Sequence, residues 1–197
     1  MSFRGIAQRE TNLRRQIMNR IRTAIDNGIL FLCVANSARS QIAEGLARSI
    51  FGPNIKIQSA GSKPARIHPL TFDVMNEIGI DISSQWCKSI NKADMSRVGL
   101  VISLCANEVC ATIPTPSIHL HWFLPNPAIK NPDQNEINAF RKTRDELSKK
   151  INILHKDYKT LPLRSGTVKP SPLPRMATAA AFFTPFRRFA FLRGLAS

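Results

Sequence analysis

The 197-residue chain contains no run of about 18 consecutive apolar residues, the length a membrane-spanning helix requires. A soluble protein is the expectation. Its N-terminus lacks the short apolar core and small-residue cleavage site of a secretory signal. Arg4, Arg9, Arg14, Arg15, Arg20 and Arg22 give it some transit-peptide flavour, which Glu10 and the lack of clustered serine weaken. Four cysteines without an export signal point to reduced thiols in a cytoplasmic setting, not to a disulfide framework. There is no internal repeat, and residues 159–197 hold no acidic residue at all against seven Lys/Arg.

That last absence changes how the net charge of +15 is read. Residues 1–28 contribute +4, residues 29–158 +4 and residues 159–197 +7. The excess therefore sits at the ends, as in solvated tails, and the middle is ordinary. The N-terminal stretch has no aromatics interleaved with its arginines for stacking on bases, so nucleic acid is not an expected partner. The segment from Phe182 to Phe191, with Arg187, Arg188 and Arg193, suits weak contact with an anionic membrane surface.

With 43% hydrophobic residues, a chain of this length buries one good core. A helix is predicted from about Glu10 to Ile25, stopped by Asp26-Asn27-Gly28. Ile29–Leu32 reads as a buried strand and Ser40–Phe51 as a helix ended by Gly52-Pro53. Ile55–Ser59, Val98–Leu104 and Ser117–His121 read as further strands, Pro69–Ile78 and Asn135–His155 as further helices. In the last helix Ile137, Phe140, Leu147, Ile151 and Leu154 form an apolar stripe broken by Arg144. Alternating strands and helices imply an α/β fold with a parallel sheet covered on both faces. Three regions follow: a basic, helical extension over 1–28, a globular domain over 29–158, and a Pro-rich linker with a basic Phe/Ala-rich tail over 159–197.

The stretch CVANSARS, Cys33 to Ser40, directly follows the first strand and opens a helix. Such a loop aims backbone N–H groups at one point, and the helix N-terminus adds about half a positive charge. Small residues Ala35, Ser37 and Ala38 let the chain curl around a tetrahedral oxyanion, and Arg39 can clamp two of its oxygens. Cys33 at the base of this bowl has the setting of a stabilised thiolate, a nucleophile near neutral pH. Ser40 is placed to donate to the sulfur and Asn36 to brace the loop.

LFLCVANSARSQIAEGLAR, Leu30 to Arg48, resembles the active-site segment of low-molecular-weight tyrosine phosphatases and, more closely, of the thioredoxin-coupled arsenate reductases that share their fold. SAG at Ser59–Gly61, EIGIDIS at Glu77–Ser83, LVISLC at Leu100–Cys105, His121-Trp122 and FRKTRDEL at Phe140–Leu147 extend the resemblance over about residues 29–155. It implies a four-stranded parallel sheet flanked by helices, with Cys33 as nucleophile, Arg39 as oxyanion ligand, and Asn36, Ser37, Ala38 and Ser40 binding the oxyanion or supporting the loop.

A phosphatase clears its phosphocysteine with water, whereas an arsenate reductase needs a second thiol to attack the arseno-cysteine sulfur. By the resemblance, Cys105 and Cys110 are the middle and last thiols of that relay. The resemblance implies arsenate as the substrate and thioredoxin as the reductant; a monomer without a cofactor is the expectation. Bridged cysteines have Cα atoms about 4.4 to 6.8 Å apart, while five residues of helix rise about 7.5 Å and five of strand about 16 Å. A Cys105–Cys110 bridge therefore requires a bend or local unwinding. Cys87 has no relay role in the resemblance.

Departures from the family also inform. The aspartate general acid is replaced by Asn126, which hydrogen-bonds but cannot transfer a proton near neutral pH. This disfavours phosphate ester hydrolysis more than arsenate reduction. Asp133 lies seven residues away, a remote substitute. The alternatives are a phosphatase-like enzyme with weakened hydrolysis and a non-catalytic oxyanion or phosphotyrosine binding module. Cys105, Cys110, His119 and His121 are possible zinc ligands, but the two-residue histidine spacing suits a finger poorly and no metal is expected. Some reductases of this type hold a potassium ion through an asparagine, a glutamate, a serine and an acid. Asn36, Glu44 and Ser59 match; the acid position holds Lys88, whose ammonium can replace the cation.

Overall fold

The computed structural model describes residues 3–105, 117–129 and 135–160. Four strands, β1 (Ile29–Cys33), β2 (Ile57–Gly61), β3 (Leu100–Ser103) and β4 (Ile118–His121), form one sheet in the order β2-β1-β3-β4, and every adjacent pair is parallel. The helices are α1 (Phe3–Asn27), α2 (Arg39–Phe51), α3 (Pro69–Asn76) and α4 (Glu136–Thr160). β1 and β3 are central and buried along their whole length, which is why they read as the unbroken apolar runs ILFLC and LVIS. The chain goes from β1 to one edge and then returns to β3 on the other side. Their carboxyl ends therefore flank the point where the strand order reverses, the crevice in which open α/β sheets bind ligands.

Alternation along the strands divides the core. Ile29, Phe31, Ile57, Leu100 and Ile102 pack with Ile42, Leu46, Phe140, Leu147 and Ile151 of α2 and α4. Leu30, Leu32, Ala60 and Val101 face the other way, where Val98, Ile90, Ala93 and Met95 cover them from a segment with two short 3₁₀ turns, Ile90–Lys92 and Met95–Arg97. Among the described residues, then, the second face carries 3₁₀ turns and not long helices. Arg144, which interrupts the apolar stripe of α4, is buried because it bridges to α3: its Nη1 donates to the Val74 carbonyl at 2.9 Å and to Glu77 Oε2 at 2.7 Å.

α1 starts well before Glu10, and its last turn belongs with the core. Ala24 and Ile25 are buried, and the Ala24 backbone lies so close to Gly99 that no side chain fits there. Arg22 sits 4.9 Å over the Tyr158 ring of α4, and the Tyr158 hydroxyl donates to Asp26 at 2.7 Å. A domain boundary at residue 28 cuts through these contacts. Cys110, Asp133 and the segments after Thr160 lie outside the described residues. No helix among the described residues is long and apolar enough to cross a membrane.

Candidate active site

The loop between β1 and α2 turns its carbonyls outward. The Val34 carbonyl accepts from Lys63 N, the Ala35 carbonyl from Ala65 N, and the Ser37 carbonyl from both His68 N and the Thr71 hydroxyl, all at 2.9–3.0 Å. The Asn36 carbonyl accepts from Gln41 Nε2 at 3.0 Å and from the Cys87 thiol at 2.9 Å. In a planar trans peptide the C=O and the following N–H point in opposite directions. With these four carbonyls engaged by the surrounding segments, the N–H groups of Ala35, Asn36, Ser37 and Ala38 are turned away from those segments, to the inside of the loop. One of them reaches the cysteine: Asn36 N donates to Cys33 Sγ at 3.2 Å. Ala38, at the N-cap of α2, has no side-chain acceptor to occupy the first-turn N–H groups.

Asn36 holds this curl together. It is wholly buried and left-handed, with φ +49, a conformation asparagine tolerates better than most residues. Its amide nitrogen donates to Ser40 Oγ at 2.9 Å and to Ser59 Oγ at 2.8 Å, and its Oδ1 accepts from Lys88 N at 2.8 Å. Because Ser40 Oγ accepts from the amide, its own hydrogen is available to Cys33 Sγ, 2.9 Å away. Ser59 passes the chain on, donating to Glu44 Oε2 at 2.5 Å. Gly61 must lack a side chain, since a Cβ there would collide with the Val34 carbonyl and the Asn36 nitrogen. This is the structural content of the SAG motif.

Arg39, the first residue of α2, is buried, and its Nη1 donates to the carbonyls of Leu124 at 3.0 Å and Leu104 at 3.4 Å. These two contacts tie it to the ends of β3 and β4. It lines a cavity of about 570 Å³ together with Cys33, Ser37, Ala38, Cys105 and Asn126. The structure thus brings two of the three relay candidates, the arginine and the altered acid position to one opening. Asn126 Oδ1 accepts from Ala128 N at 3.3 Å, which leaves the amide folded onto its own loop. His119 and His121 are exposed on one side of β4, and no cluster of three or more His, Cys, Asp or Glu suited to a metal exists among the described residues.

A family model for "Low molecular weight phosphotyrosine protein phosphatase" matches residues 28–162. The chain belongs to that family. An arsenate reductase from Halalkalibacterium halodurans is 37% identical over 126 residues, covering 62% of this chain and 91% of the relative. A solved arsenate reductase in a phosphate-binding state is 31% identical with a TM-score of 0.56, covering 66% of this chain and 98% of that one. A thioredoxin-dependent arsenate reductase from Corynebacterium glutamicum is 26% identical with a TM-score of 0.55, covering 74% and 71%.

Two partners in the site carry no signal in the sequence. Gln41 links Asn36 to the Trp86 carbonyl, to which it donates at 3.1 Å, and looks like any polar residue in a helix. Cys87 is given no relay role by the resemblance, yet its thiol donates to the Asn36 carbonyl. Burial raises the Cys87 pKa, and the nearby Cys33 raises it further, so it stays protonated and keeps donating.

Proposed function

We propose that this member of the family reduces arsenate to arsenite through a thiol relay. The observation that carries the reading is the shared cavity, in which Cys33 and Cys105 stand beside Arg39 and an inward-facing set of N–H groups. Arsenate oxygens accept from the loop N–H groups and from the guanidinium, while the Ser40 hydroxyl and Asn36 N stabilise the Cys33 thiolate. The thiolate attacks arsenic and displaces one oxygen as water, forming a sulfur–arsenic bond. The Cys105 thiolate then attacks Cys33 Sγ. The electron pair of the sulfur–arsenic bond goes to arsenic, which leaves as arsenite, and a Cys33–Cys105 disulfide remains.

Cys110 follows as the third thiol, attacking Cys105 to restore Cys33. Thioredoxin, named in one of the similar structures, is the proposed reductant of the resulting disulfide, and a reducing cytoplasm the proposed setting. The chemistry needs no cofactor. The Phe-rich basic segment Phe182–Phe191 is proposed to touch anionic lipid weakly, a contact that vesicle sedimentation at rising salt would weaken.

The test is anaerobic turnover of arsenate with thioredoxin, thioredoxin reductase and NADPH, run beside hydrolysis of an aryl phosphate. NADPH oxidation that depends on arsenate and on Cys33 supports the reading. Aryl phosphate hydrolysis without arsenate turnover favours the weakened phosphatase, for which Asn126 in the cavity is the adverse observation. Binding of oxyanion without either reaction favours the non-catalytic module.

A further inference from the structure

The outer half of α1 carries an apolar stripe that its own domain does not cover. Leu13 is 58% and Ile17 48% exposed, although they continue the row that leads through half-buried Ile21 to buried Ala24. Glu10, Leu13, Ile17, Arg20 and Ala24 alternate at spacings of three and four, the seam of a heptad repeat. Glu10 and Arg20, both exposed, stand on this seam one step outside Leu13 and Ile17. The seam is therefore mirror-spaced in opposite charges around an apolar centre.

We infer that this face is a self-complementary interface through which two copies of the chain pair by antiparallel α1 helices. With the two-fold axis at residue 15, Leu13 meets the partner's Ile17 and Glu10 meets the partner's Arg20, each contact occurring twice. The contact repeats through four layers over about 15 Å of helix. An interface of this kind is isologous and closes at two copies. A charged pair on the seam fixes register and orientation, as single polar residues do in coiled coils.

Charge decides among the other occupants. The segment after residue 160 holds six Lys/Arg and no acid, so unlike a second copy it brings no carboxylate to Arg20 on the seam. An anionic bilayer attracts those arginines but meets the Glu10 carboxylate on the seam itself. A second copy brings an arginine to that carboxylate and a branched side chain to each of Leu13 and Ile17. This departs from the monomer expected from sequence and does not depend on the reaction catalysed.

The experiment is sedimentation equilibrium of the full chain under reducing conditions, from about 1 to 100 µM, a range suited to an interface smaller than the standard ~1,600 Å². The wild type should titrate between monomer and dimer. Glu10→Arg and Arg20→Glu should each weaken the dimer at least about tenfold through like-charge contacts, and the double reversal should restore it to within about threefold. Leu13→Glu should abolish it. These positions are exposed, and unchanged circular dichroism would establish that each variant folds. A monomer at every concentration, or association indifferent to the single reversals, would overturn the inference. A monomer whose sedimentation with anionic vesicles is lost in Leu13→Glu would give the stripe to a membrane instead.

Discussion

Lys88 Nζ lies 3.6 Å from Glu44 Oε2, with only 9% of the lysine side chain and 1% of the glutamate exposed. Glu44 in turn accepts from Ser59, which accepts from Asn36 of the nucleophile loop. The ammonium therefore already neutralises the buried carboxylate beside Asn36 and Ser59, and the residues present do not fit a potassium ion there. Activity and melting temperature should be indifferent to replacing sodium by potassium. Lys88→Met should cost ~2 kcal/mol, less than the ~3–5 of an abandoned buried charge, because Arg48 still pairs with Glu44 at 2.5 Å. A urea titration reads this out, and potassium-dependent activity in the wild type would contradict it.

Asn126→Asp should raise aryl phosphate hydrolysis at least about tenfold, towards the 10²–10⁴ range of general acid catalysis. The side chain already lines the cavity with Cys33, so the substitution changes chemistry more than position. No gain in kcat would mean that another group supplies the proton.

Glu77 holds the end of α3 to α4 through Arg141 and Arg144. Hydrogen bonds from Arg141, then Arg144, lower its pKa from 4.5 to about 2. The folded value lies below the unfolded one, so its contribution is present above pH 4.5 and is lost as the pH falls towards 2. Glu77→Gln should flatten the fall of the urea midpoint between those two pH values. An unchanged slope would assign acid sensitivity to other carboxylates.

Removing residues 1–20 should leave the fold intact, whereas removing residues 1–27 should lower the melting temperature by several degrees. The second deletion takes away buried Ile25, worth roughly 1.5–3 kcal/mol, together with the Arg22 and Asp26 contacts to Tyr158. Differential scanning calorimetry distinguishes the two deletions. Equal melting temperatures would show that α1 contributes nothing to the core.

Much of this fold was legible in the sequence because β1 and β3 are buried on both faces and cannot be mistaken for amphipathic helix. The positions of Cys33, Asn36, Arg39 and Ser40 were legible because one loop carries them all. Other features follow only from tertiary proximity. The packing of Ala24 on Gly99, the Cys87 thiol on the Asn36 carbonyl and Gln41 beneath the loop join residues far apart in sequence or featureless within it. Arg144 looked like a flaw in an apolar stripe, since its acceptors, Val74 and Glu77, lie near the end of another helix.

The central claim is that Cys33 and Cys105 exchange electrons with arsenate, and the most direct measurement is one turnover of the Cys110→Ser protein without any external reductant. After quenching at low pH and blocking free thiols, peptide mass spectrometry should find a Cys33–Cys105 disulfide in proportion to the arsenite released, with Cys87 fully alkylated. Arsenite released without loss of those two thiols, or a disulfide joining Cys33 to Cys87, would contradict the relay.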